Sequence, residues 1–220
     1  MTNPIQYPAR LEIDYPEGRQ DTLSTLFRFI WVIPIAIILS LITDAGQTVT
    51  YRVFLNESGE IIRRTRDAAG GLASGLAMAT ALMIIFKQMY PRWWFDFARE
   101  ITRFSYRVGA YALLLTDKYP STIDEQSVHL ELDYPDVPKD LNQLMPIVKW
   151  LLAIPHYIAL AFLAVGVVVV TIYAWFSILF TRSYPRGVFD FVVGVGRWAL
   201  RVNAYAYLLI TDRYPEFSLR

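Results

Sequence analysis

The chain of 220 residues contains no cysteine. Disulfides, zinc–thiolate sites, iron–sulfur ligation and thiol nucleophiles are therefore excluded. It has two histidines, His129 and His156, with no ligand spacing between them. No metal site is expected. The formal net charge is +1, so no basic field argues for nucleic acid. GxSxG, HExxH, phosphate-loop and dinucleotide fingerprints are all missing. No catalytic residue, no cofactor and no enzymatic activity are expected. The opening "MTNPIQYPARLEIDYPE" lacks a basic region followed by an apolar one, so it is not expected to be a cleavable signal peptide.

What is present is apolar. Hydrophobic residues make up 55% and aromatics 15%. The mean hydropathy is +0.32. That composition points to the membrane class. Residues 24–43 and 72–90 are each about long enough to cross a bilayer. Residues 144–182 form an apolar run about twice as long as one crossing needs. The expected arrangement there is two crossings, about 144–163 and 165–183, joined by a tight turn near Ala164–Gly166.

The chain also repeats itself. "RLEIDYPE" at 10–17 returns as "HLELDYPD" at 129–136. "RFIWVIP" at 28–34 returns as "KWLLAIP" at 149–155, and "YPRWWFDF" at 90–97 as "YPRGVFDF" at 184–191. "RFSYRVGAY" at 103–111 returns as "RWALRVNAY" at 197–205, and "LLTDKYP" at 114–120 as "LITDRYP" at 209–215. The order is preserved, giving repeats at about 1–120 and 121–220. Between its crossings only the first repeat carries a polar insertion. There Val49, Tyr51, Val53 and Leu55 alternate with mostly polar neighbours ahead of a turn-forming "NESGE", which reads as an extramembrane β-hairpin over about 47–67. "RLEIDY" and "HLELDY" suggest short strands leading into each repeat.

After each "YPR" comes a segment with basic residues at helical spacing. Arg99, Arg103 and Arg107 share one face, and Ile101, Phe104, Val108 and Tyr111 another. This is the pattern of a helix lying in the membrane interface, expected at about 94–115 and 188–210. The second segment keeps Arg197 and Arg201 but loses an Arg and a Glu. Arg92 with Asp96, and Arg186 with Asp190, stand four apart. They serve either as contacts to lipid phosphate or a partner carboxylate, or as a charge pair at the helix start. The pairs Arg103/Arg107 and Arg197/Arg201 call for an anionic counterpart. Lipid phosphate and, within the fold, Asp117 and Asp212 both qualify. Tyr90, Trp93, Trp94 and Tyr184 are expected to anchor the chain at headgroup level.

The strings "KWLLAIPHY" at 149–157, "YPRGVFDFVVGVGRWALRVNAYAYLLITDRYPEFSL" at 184–219 and the duplicated "LEIDYP"/"LELDYP" resemble the bacterial membrane family labelled domain of unknown function 4389, in two tandem copies. The resemblance implies a bacterial integral membrane protein and supplies no activity.

The expected fold is therefore an all-α integral membrane protein of two tandem repeats. Each contributes a transmembrane helical hairpin and an amphipathic interfacial helix, and the first carries a small inserted β-hairpin. The excess of Lys and Arg outside the hairpin favours a multi-pass inner-membrane protein with both termini cytoplasmic. The expected function is non-enzymatic: an accessory or scaffolding subunit of a larger membrane complex, a binder of anionic lipid, or both. Its partners are membrane lipids and a protein within the membrane, and homo-oligomers stay open. The competing class is an oligomeric transporter or channel.

Overall fold

A computed structural model describes residues 7–18, 20–43, 50–55, 61–66, 72–122 and 124–220, with backbone alone at 42–43, 50–55, 61–66 and 72–73. It is mostly helical. In chain order it contains β1 (Ala9–Ile13), α1 (Thr22–Thr43), β2 (Thr50–Leu55), β3 (Ile61–Arg66), α2 (Leu72–Lys87), α3 (Arg92–Ala112), β4 (Val128–Leu132), α4 (Val137–Asp140), α5 (Met145–Leu152), α6 (Ile154–Thr181) and α7 (Arg186–Ala206).

The two lead-in strands pair with each other. β1 and β4 run antiparallel in a register centred on Leu11 opposite Leu130. Their alternation puts Ala9, Leu11, Val128, Leu130 and Leu132 on a buried face. The other face is charged: Arg10 bonds Asp133 at 2.8 Å and Glu131 at 3.1 Å, and His129 meets Asp14 at 3.1 Å. The inserted hairpin is present as the antiparallel pair β2–β3, with Val53 opposite Arg63. Tyr51, Val53 and Leu55 lie on β2, and Val49 lies outside the described residues.

The long apolar run does not turn where expected. α6 continues through Ala164 and Gly166 for 28 residues, about 42 Å. No Asn, Asp or Pro stands near Gly166 to stop it, and one glycine costs a helix only about 1 kcal/mol. A Cβ at Gly166 would meet Phe191 at an ordinary 3.6 Å. The interruption falls at Ala153, just before Pro155, which lacks an N–H and displaces the carbonyl four residues back. The Leu152 carbonyl in that break accepts from the Tyr214 hydroxyl at 3.1 Å. Among the described residues two segments are long and apolar enough to cross a membrane, Thr22–Leu41 and Met145–Thr181. α2, with 16 residues, reaches only about 24 Å. Four crossings were expected; among the described residues two helical segments reach that length, and the turn expected near Ala164–Gly166 is absent.

α7 is more deeply packed than α3, although Arg186 and Asp190 at its start stay exposed. Val192, Val193, Val195, Trp198, Leu200 and Val202 are all buried. It packs against β1, α5 and α6. The smaller, more apolar side chains of the second segment let it sink into the core. α3 keeps the charged outer face that the sequence suggested, with Asp96, Arg99, Glu100 and Arg103 along it.

Candidate functional site

Two buried cations organise the molecule. Arg28 on α1 is 1% exposed. Its guanidinium pairs with Asp117, donates to the Thr116 carbonyl at 2.5 Å and the Tyr111 carbonyl at 3.2 Å, and lies 4.4 Å from the Tyr111 ring centre. Lys149 on α5, also 1% exposed, repeats the arrangement. Its ammonium meets Asp212 at 2.6 Å, the Thr211 carbonyl at 2.7 Å and the Tyr205 ring at 5.3 Å. Each carboxylate has a second task. Asp117 accepts from the Asp21 backbone N–H at 3.3 Å, and Asp212 from that of Asn142 at 2.5 Å. Asp21 and Asn142 in turn accept backbone N–H groups at the starts of the following segments. A bare charge in such apolar surroundings would be costly. Here it is met by a carboxylate, carbonyls and an aromatic face. The sequence offered Asp117 and Asp212 as counterparts of the surface arginines. The structure gives them to Arg28 and Lys149 instead.

The two "YPR" joints are each clasped from the other half of the chain. The Tyr15 hydroxyl donates to the Tyr184 carbonyl at 2.5 Å, and its ring meets Phe189 edge-on at 5.0 Å. The Tyr134 hydroxyl donates to the Tyr90 carbonyl, and its ring meets Phe95 at 5.2 Å. Arg186 lies 4.5 Å over the Tyr15 ring and Arg92 5.0 Å over that of Tyr134. The expected charge pairs do not form. Among the described residues no ion pair joins Arg92 to Asp96 or Arg186 to Asp190, because both arginines swing onto tyrosines of the opposite lead-in. Asp96 pairs with Arg99 at 3.1 Å.

The expected interface anchors are mostly internal. Tyr90 and Tyr184 are each 1% exposed. Burial pushes the Tyr90 phenol up to about 12 and raises that of Tyr184 too. Trp94 donates its indole N–H to the Thr80 hydroxyl at 2.8 Å. Only Trp93 of the four is well exposed.

Four further arginines fasten backbone. Arg103 donates to the Leu130 carbonyl at 3.3 Å and Arg197 to that of Leu11 at 2.9 Å, holding the strands on their helices. Arg107 donates to the Ser121 carbonyl at 2.5 Å and Arg201 to that of Ser218, holding the tails. Burial lowers the pKa of both Arg107 and Arg201 from the usual guanidinium value. His156 is fully buried, accepts the Trp198 indole N–H at 3.0 Å and stacks on Phe217 at 4.0 Å. Among the described residues no three His, Asp or Glu side chains gather as a metal site.

The second-half strings, the "KWLLAIP" and "YPRGVFDF" segments with their tail, place Lys149, Arg186 and Asp212 in one unit with α5, α6 and α7. Residues 146–218 match the family model described as domain of unknown function (DUF4389). The DUF4389 match begins after β4 and ends just short of the chain's last residues, so it takes in α7 and the Lys149–Asp212 pair. It covers one copy, and a second copy over the first half is not shown by it. No curated protein and no solved structure matches the chain.

Proposed function

We propose that this chain is a non-enzymatic bacterial integral membrane protein of the inner membrane, built from two tandem repeats, acting as an accessory or scaffolding subunit that contacts lipid headgroups. The observation that carries the membrane reading is exposure. Phe29, Ile30, Trp31 and Ile33 on α1, and Phe162, Val165, Ile172 and Phe180 on α6, all stand more than half exposed. Faces of that size and length have no place in water. Within Thr22–Leu41 and Met145–Thr181 the Asp, Glu, Lys and Arg side chains are confined to Arg28 and Lys149, both turned inward onto carboxylates.

Matched contacts support the repeat. Arg28–Asp117 parallels Lys149–Asp212, and Tyr134 on Tyr90 parallels Tyr15 on Tyr184. The left-handed backbone residues fall in the same correspondence, Gln88 with Arg182 and Leu114 with Leu209. The scaffolding reading rests on how the arginines are used. Most hold the fold itself, which suits a rigid adaptor better than a moving carrier. The β2–β3 hairpin interrupts only one half, and its strand edges suit it to a protein partner. Arg28 and Lys149, already neutralised, lend no support to an ion pathway.

The test is membrane extraction followed by mild-detergent purification. The protein should resist alkaline carbonate washing and purify with a protein partner. Deleting residues 47–66 should keep it in the membrane and lose the partner. Release by carbonate, or a lone homo-oligomer that conducts ions in liposomes, would contradict the reading.

A further inference from the structure

The two halves differ at one joint. Where α3 has Arg99 and Glu100, α7 has Val193 and Gly194. On α3 the charges close on one another: Arg99 meets Asp96 and Glu100 at 3.1 Å each, and Glu100 takes Arg103 at 2.8 Å. On α7 that lattice is missing, and Gly194 admits the tail instead. A Cβ there would stand 2.7 Å from the Leu219 carbonyl oxygen. The tail brings Arg220 to a cleft of about 830 Å³ lined also by Glu17, Arg186, Asp190 and Arg197. That volume is in the range of small-molecule sites. Among the described residues none of these five side chains is in an ion pair. Arg197 commits its Nε to the Leu11 carbonyl, and Arg186 rests on Tyr15. Uncompensated charges of both signs therefore line one cleft.

A purely anionic ligand would meet Glu17 and Asp190 unfavourably, and a cation would meet three arginines. A ligand bearing both signs answers both. Guanidinium forks match phosphate oxygens, and carboxylates accept from an ammonium. The cleft reaches Arg186, where α7 begins a few residues after α6 ends. Headgroups lie where membrane helices end. The geometry points to an aminoalkyl phosphodiester as the ligand, the headgroup chemistry of phosphatidylethanolamine, with its phosphate at Arg186, Arg197 and Arg220 and its amine at Glu17 and Asp190. This deepens the lipid-contact reading above and rests on it only for the lipid as the source.

The experiment delipidates the full chain in detergent and incubates it with equal amounts of phosphatidylethanolamine and phosphatidylglycerol. The phospholipid retained per protein is then quantified. Phosphatidylethanolamine should be retained in at least tenfold preference. Arg186→Gln and Asp190→Asn should each lower retention about tenfold. Arg92→Gln, which removes the equivalent tyrosine contact at the closed joint, should change it less than twofold. Displacement by soluble glycerophosphoethanolamine assigns the free ester as a source, and resistance to it assigns the lipid; both support the headgroup chemistry. Preference for phosphatidylglycerol, or equal losses in Arg186→Gln and Arg92→Gln, would overturn the proposal. Membrane partitioning of Arg186→Gln reads the membrane proposal separately and should be unchanged.

Discussion

Lys149 and Asp212 show how a charge survives beside an apolar helix. The ammonium has two oxygen partners within 2.7 Å and an aromatic face beyond them. Asp212→Asn leaves that ammonium without its counter-charge. Removing one member of a buried pair costs about 3–5 kcal/mol. Thermal unfolding in detergent should show that loss. The double variant Lys149→Met with Asp212→Asn should recover much of it, because no bare charge remains. Equal losses in both would mean that the pair is not what holds α5 to the 207–212 loop. Gly194 and Gly187 make a second residue-scale test. Gly187→Ala meets nothing within 4 Å and should be neutral or gain up to about 1 kcal/mol of helix propensity. Gly194→Ala must displace Leu219 and should lose about 1–3 kcal/mol. The same stability measured for both would place the tail elsewhere.

At the scale of elements, α6 is the point where length misled. A largely apolar stretch of 37 residues reads as two crossings by arithmetic alone. What decides is the absence of a stop residue near Gly166 and a buried stripe at His156, Val167, Ala174 and Ile178 that keeps one face on the protein. Chain composition carries no record of that stripe's partner, α7, until the fold is formed. Spin labels at residues 154 and 176 should lie about 33 Å apart on one continuous helix. A hairpin turning at Gly166 would bring them to about 10 Å, the spacing of packed helices. Other features were legible. The β2–β3 hairpin shows in its alternation and turn residues, and the lead-in strands show in theirs. Their pairing with each other was not legible, because antiparallel partners as far apart as Arg10 and Glu131, 121 residues along the chain, leave no local signal. The arginines were legible as important, though their backbone targets were not. A guanidinium pattern is the same whether it meets a phosphate or a carbonyl.

At the scale of the whole molecule, each half closes the other. Tyr15 seals the second joint and Tyr134 the first, while Arg197 and Arg103 each hold the strand contributed by the opposite half. Residues 1–120 and 121–220 expressed as separate chains should therefore copurify, and each alone should aggregate. Independent folding of either would break this account. The central claim is that so closed a body serves as a fixed subunit among lipids and partners. Native mass spectrometry of the protein released from its own membrane in mild detergent tests it most directly. The account predicts a heteromeric assembly with retained phospholipid and a constant stoichiometry. A bare monomer or a homo-oligomer, free of partner and lipid across mild detergents, would contradict it.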